Sequence, residues 1–263
     1  MDIGHNHHGG FSLIEMMVAL VIGSFLVLGV SQIYINSKRN FIYQQSQSGN
    51  RDNALLIEQL LNWQLARAGF RANTQVQGSL AAAFPALDAA VDKNDNVGCS
   101  AFGEGAVLVP TSEDAANPSG VCLRYQGAID GKDLDCLGNL ISPKSEKIGG
   151  NILTKLRYVV GETIGSGRLT CTVWSEQNGV LTPRGSSVLI QGLLDFRWAA
   201  LNVNGEAPAV RYAVLLATSD ASPGGVTSNV VANWQALTGR QIKEAAYVMQ
   251  IVQSSVALRN LAP

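Results

Sequence analysis

Residues 11–30, FSLIEMMVALVIGSFLVLGV, form a run of twenty residues with one charge, Glu15, and two hydroxyls, Ser12 and Ser24. About 20 apolar residues in a helix cross a bilayer core of roughly 30 Å. A secretory signal peptide has a basic leader, a shorter apolar core and a small-residue cleavage site after it. Here residues 1–10, MDIGHNHHGG, carry no Lys or Arg, and no A-x-A-like site follows the run. A plain anchor fits poorly as well, because a carboxylate in the apolar span costs a few kcal/mol unless it is paired, which marks Glu15 as functional. The nearest basic residues, Lys38 and Arg39, follow the run, and the positive-inside rule alone would put that side in the cytoplasm.

Helical character continues past the apolar run. No proline occurs before Pro85, and Ala54, Ile57, Leu61, Leu65 and Ala68 form one stripe at 3–4 spacing. Leu56, Leu60 and Trp63 are expected to widen it into an arc that packs on a sheet. Gly69 followed by Phe70 reads as a helix stop with a contact back onto the helix. A helix over residues 11–68 would be about 87 Å long at 1.5 Å per residue. The remaining body cannot bury it, so half of it needs a membrane or neighbouring subunits. The Gln/Ser/Asn-rich residues 44–50 are its weakest segment and a place for a bend.

Beyond Phe70 short β-rich runs take over, separated by Gly, Asn, Asp and Pro. The expected strands are 106–109, 121–125, 155–160, 168–174, 188–190, 193–200, 209–217 and 246–258. The run 211–217 alternates poorly and suggests a central strand covered on both faces. Residues 238–245 read as a short helical or irregular lead-in to the last strand, and the Ala-rich residues 73–90 as a loop or short helix. No internal repeat or long linker suggests a second body domain.

Composition narrows the chemistry. The three histidines, His5, His7 and His8, all precede the apolar run, which leaves the body without an imidazole for a Ser-His triad or a zinc site. The His cluster itself reads as part of a solvated leader. Lys+Arg 19 against Asp+Glu 20 gives no bulk basic field, so no nucleic-acid partner is expected. Four cysteines, Cys99, Cys122, Cys136 and Cys171, lie beyond the apolar run and read as two disulfides in an oxidising compartment, with three connectivities open. Residues 92–96 alternate oxygen-bearing side chains like a calcium loop, but Val97 stands where the turn glycine belongs and Gly103 where the bidentate Glu belongs. Residues 130–135 are similarly incomplete. Both read as solvated turns, although calcium at 92–96 merits a test. No phosphate loop, nucleophile elbow or paired-carboxylate motif is present, and neither catalysis, a cofactor nor a metal is expected.

The segment Gly10-Phe11-Ser12-Leu13-Ile14-Glu15, ahead of an unbroken apolar stretch, resembles the prepilin-type signal of type IV pilins and type II secretion pseudopilins. The resemblance implies that a membrane prepilin peptidase cuts after Gly10 and that Phe11 becomes the N-methylated amino terminus. It gives Glu15 the task of pairing with the amine of a neighbouring subunit, two buried charges that are costly apart and tolerable together. Loss of the leader would remove Asp2 and leave 19 acidic against 19 basic side chains. The leader departs from the family in lacking Lys and Arg, and the helix lacks the proline many pilins carry in its first half.

The body pieces Asp135-Cys-Leu-Gly138, Arg168-Leu-Thr-Cys171, residues 189–196 (LIQGLLDF) and residues 256–260 (VALRN) resemble PilW-type minor pilins. That resemblance favours a Cys136–Cys171 disulfide, which leaves Cys99 with Cys122. It implies an α+β, type IV pilin-like fold with a leader over 1–10, a long N-terminal helix over 11–69 (11–30 the transmembrane and assembly segment) and an antiparallel β-rich body over 70–263. The expected role is that of a minor pilin, held in the inner membrane by a single pass with a periplasmic body, then built into an extracellular pilus. Its partners would be other minor pilins, the major pilin, the prepilin peptidase and a pilus-tip adhesin. The competing readings are a J-type pseudopilin of a type II secretion system and a DNA-uptake subunit, the latter if Arg157, Arg168, Arg184 and Arg197 cluster in space.

Overall fold

The computed structural model describes residues 12–90, 96–112, 119–203, 206–221, 228–242 and 247–261. The chain divides into two units, Met1–Gln45 and Ser46–Pro263. Helix α1, Leu13–Ala66, is helical throughout, including the Gln/Ser/Asn-rich residues 44–50. Its last turn ends at Gly69, which adopts φ 72° and donates its amide to the carbonyl of Arg124 at 2.9 Å. That positive φ suits glycine, and the Phe70 amide closes back on the Arg67 carbonyl at 2.9 Å.

Two short helices follow, α2 at Thr74–Gln77 and α3 at Leu80–Ala83, within the segment expected to be a loop or short helix. Each starts on a capping side chain. Asn73 accepts from the amides of Gln75 and Val76, and Ser79 accepts from Ala82.

Seven antiparallel strands form one meander in sequence order: β1 Leu108–Pro110, β2 Gly120–Gln126, β3 Asn151–Val159, β4 Gly167–Gln177, β5 Val180–Val203, β6 Glu206–Ala221 and β7 Tyr247–Ala257. The two runs expected at 188–190 and 193–200 are one strand. Gly192, at φ 93°, carries β5 through the interruption as an irregularity in the ladder and not as a turn. Asn53 of α1 approaches there, and a Cβ on Gly192 would sit 3.2 Å from its amide nitrogen.

Ala54, Ile57, Leu61, Leu65 and Ala68 are all buried against the inner face of the sheet, among Leu123, Tyr125, Leu156, Phe196 and Val214. Burial of an Ile or Leu side chain of this kind stabilises by roughly 1.5–3 kcal/mol. Leu56 and Trp63, expected to join this face, are half exposed instead. Their positions on α1 turn them away from the sheet, and only Leu60 of that trio packs at its margin.

The outer face of the sheet has two separate covers. Over β2–β4, Leu87, Ala90, Cys99 and Phe102 lie on Cys122, Leu153 and Trp174 and build a second apolar cluster. Over β6 and β7 lies α4, Ser228–Thr238, with Trp234 fully buried on Ala213, Leu215 and Met249. Of the expected helical or irregular lead-in at 238–245, the described residues 239–242 are irregular and 243–245 lie outside the described residues; the helix itself precedes it, ending at Thr238. Val230, Trp234 and Leu237, spaced four and three apart, were the available signal, with no acid in the first turn to strengthen it. With α1 on one side and α4 on the other, Tyr212 to Ala217 of β6 is buried at every residue, which explains its poor alternation.

Candidate assembly segment

Gly10 and Phe11 lie outside the described residues. Ser12 begins the described chain and caps α1: its hydroxyl oxygen accepts from the amide of Ile14 at 3.4 Å, and its amide donates to Oε2 of Glu15 at 2.9 Å. The Glu15 carboxylate reaching back to the Ser12 amide is the Glu half of a capping box, while the Ser12 hydroxyl caps the Ile14 amide instead. The spacing of Ser12 and Glu15 was the available signal, and it gives Ser12 a role that the sequence reading did not assign.

In the first unit every large apolar side chain from Leu13 to Val30 is more than half exposed. A helix that is apolar all round needs a membrane or other helices as its solvent. Further along the run the Ser24 hydroxyl bonds the Val21 carbonyl at 2.7 Å and so hides its own polarity. Among the described residues α1 is the one helix long and apolar enough to cross a membrane.

In the second unit, polar side chains fasten α1 to the body at both of its ends there. The Asn50 amide donates to the carbonyl of Val248 at 2.9 Å, and Tyr212 donates to Oδ1 of Asn62 at 3.0 Å. At the C-terminal end Asn260 donates to the carbonyls of Ala66 and Ala68, at 2.8 and 3.2 Å. These bonds satisfy helix carbonyls left open by the end of α1. Arg67 lies 4.7 Å from the Trp63 ring centre and 4.2 Å from that of Tyr125, and donates to the Leu134 carbonyl. Leu55, Leu56 and Trp63 stay half exposed on the other side of the helix.

Cysteine bridges hold two of the long connections. Cys99 is joined to Cys122 of β2, and Cys136 to Cys171 of β4, with Cα separations of 5.8 and 6.5 Å. The first pins the outer cover over two buried cations. Arg124 stands between the rings of Phe84 and Phe102, 5.3 and 4.9 Å from their centres, and donates to the Pro85 carbonyl at 2.8 Å. Burial lowers its pKa while the charge of Glu176 opposes that shift. Lys155, fully buried, donates to the Val97 carbonyl at 2.6 Å.

The acidic run 130–135 is occupied by its own loop. Asp130 accepts from the Lys132 amide, Asp133 from the Ala128 amide, and Asp135 from the amides of Leu137 and Asn139. Residues 91–95, and with them most of the second candidate loop, lie outside the described residues. No group of three or more metal-ligating side chains exists among the described residues. Nor do the four arginines make a free basic stripe: Arg184 pairs with buried Asp135 at 3.0 Å, and Arg197 with buried Asp195 at 3.4 Å. Asp195 also faces Arg240 at 3.4 Å, yet burial dominates and pushes its carboxyl pKa up.

A long, apolar N-terminal helix followed by one antiparallel seven-stranded sheet is a type IV pilin-like α+β fold. Residues 5–31 match the family model described as the prokaryotic N-terminal methylation motif. This motif supports a type IV pilin-like or pseudopilin subunit. It implies processing by a prepilin peptidase and assembly with other pilins, and with the exposed apolar helix it fits a membrane-anchored subunit. Neither a curated protein nor a solved structure matches the chain.

Proposed function

We propose that the chain is a minor pilin of a type IV pilus, cleaved after Gly10, methylated on Phe11 and built into the filament by packing of α1. It would prime assembly together with other minor pilins, near the pilus tip and beneath a large adhesin. The observation that carries this reading is Glu15, the one acid in the apolar run, set four residues after Phe11. A filament subunit needs that carboxylate for the ammonium of the subunit above it. Its retention supports a place below the apex, because an apical subunit has no amine above it to pair with. The body resemblance to PilW-type minor pilins supports the minor-pilin role over that of a major subunit.

The test is the intact mass and N-terminal residue of the protein purified from its native host's membranes. A chain beginning at methylated Phe11 supports the proposal, and a chain that keeps Met1 to Gly10 overturns it. Deletion then separates pilus from secretion: loss of pilus-dependent motility supports the minor pilin, and loss of protein secretion with motility intact supports the J-type pseudopilin. The DNA-uptake reading has less support, since Arg184 and Arg197 are engaged by buried carboxylates.

A further inference from the structure

The two edges of the sheet are built differently. β1 is three residues long, ends at Pro110, and is flanked by the bridge between Cys99 and Thr111. It offers little to an incoming strand. β7 is eleven residues long, YVMQIVQSSVA, without a Lys, Arg, Asp, Glu or Pro. It pairs with β6 on one side, and no strand lies on the other among the described residues. At that edge Asn50 takes the carbonyl of Val248, and no strand continues the pairing beyond it. Sheet edges are ordinarily blunted by charge, proline, a bulge or brevity, because a bare edge recruits other strands. The β7 edge has none of these over residues 249–257.

A cleft borders β7 on each face of the sheet. On the α1 side a space of about 300 Å³ is lined by Asn62, Ala66, Ser255, Val256, Ala257 and Arg259. On the α4 side a space of about 470 Å³ is lined by Asn233, Ala236, Leu237, Ile251 and Gln253. Successive side chains of a strand point to opposite faces. A strand added beside β7 would therefore send alternate side chains into the two clefts, whereas a docked helix would fill one and leave the edge amides bare. Main-chain bonds with pockets for alternate side chains are the pattern of strand addition.

We propose that the open edge of β7 is a docking site for an extended segment of another protein, which adds to the sheet as an eighth strand. The clefts define its chemistry. Ala236, Leu237 and Ile251 call for an apolar side chain of Val or Leu size. On the α1 side, Asn62 and the cation of Arg259 call for short polar or acidic side chains at the alternate positions. A second copy presenting its own β7 is the poorer match, because that strand holds no carboxylate for Arg259. The proposal rests on the body alone and stands whether or not the pilus reading holds.

The test uses the full chain in detergent micelles and acetylated nine-residue peptides alternating Val with Thr and Asp. Amide hydrogen exchange is followed across residues 249–257. The expected result is exchange slowed at least tenfold by the peptide, with the effect lost in the double variant Gln253→Lys/Ser255→Lys and with a peptide carrying a central proline. Leu237→Trp, which fills the α4-side cleft, is expected to weaken peptide binding at least tenfold, and it decides the matter should the lysine variant not fold. No slowing at millimolar peptide, or equal binding of the proline peptide, overturns the proposal. Slowing that grows with protein concentration in the absence of peptide overturns it too, by naming a second copy as the occupant.

Discussion

The amide of Ser12 donates to Oε2 of Glu15 at 2.9 Å, so the carboxylate proposed to bind a neighbouring subunit closes the first turn of its own helix. Capping of this kind contributes about 0.5–2 kcal/mol to the helix. It also keeps the carboxylate at the helix start, where the dipole favours a negative charge.

The two roles of Glu15 separate by substitution. Glu15→Gln keeps an acceptor for the Ser12 amide and loses the charge, whereas Glu15→Ala loses both. If pairing with an ammonium is what assembly needs, both variants accumulate in the membrane and both are missing from sheared filaments. Rescue of filament incorporation by Gln alone would show that the cap, and not the charge, matters.

Two neighbours on α1 test how the helix sits on the body. Ile57 is fully buried and Leu56 half exposed. Ile57→Ala is expected to cost about 2–5 kcal/mol of body stability. Leu56→Ala should stay within about 0.5 kcal/mol. Denaturant midpoints for the two variants check the difference.

Arg124 is held by ring faces as well as by charge. Arg124→Ala removes the bond to Pro85 and the countercharge near buried Glu176, with an expected loss on the order of 3 kcal/mol. Arg124→Lys should recover little of it, because an ammonium lacks the flat guanidinium that lies between Phe84 and Phe102. The thermal midpoints of the two variants measure this.

The Cys99–Cys122 bridge closes a loop with a sequence separation of 23. The chain-entropy relation gives roughly 3–4 kcal/mol for such a loop. Cys99→Ser/Cys122→Ser is expected to lower stability by that order and to expose the outer cover first. Limited proteolysis should then cut between residues 84 and 111 while α1 and β3–β7 stay intact. Cutting elsewhere would show that the bridge supports the whole body.

Alkaline pH offers a further check. Burial pushes the phenols of Tyr158 and Tyr212 from the usual 10 up to about 12. The folded state thus holds these protons more tightly than the unfolded state. Stability is unaffected below pH 10 and falls as pH rises from 10 towards 12. Phenolate absorbance should show these two phenols titrating late, together with loss of near-ultraviolet ellipticity. Tyr212→Phe should remove its share of the slope, and an unchanged slope would refute the assignment.

Much of this molecule is set by short-range pattern. The run from Leu13 to Val30, apolar except for Glu15 and Ser24, requires a helix surrounded by lipid or protein. The 3–4 spacing of Ala54, Ile57, Leu61, Leu65 and Ala68 names the buried face of α1, because a helix returns to the same side every 3.6 residues. Gly69 marks its end through a positive φ that suits glycine. Ser12 and Glu15, three residues apart, also contain their own contact. Tertiary structure decided the rest, because those choices depend on chain segments far apart in sequence. Leu56 and Trp63 are as apolar as their buried neighbours, and only the placement of the sheet leaves them outside. Gly192 could turn the chain or continue it, and pairing of β5 with both neighbours makes it continue. α4 has little amphipathic signal, and it is Trp234 meeting Ala213 and Leu215 that fixes it over β6. The open edge of β7 has no sequence signature, since an edge strand is defined by what fails to lie beside it.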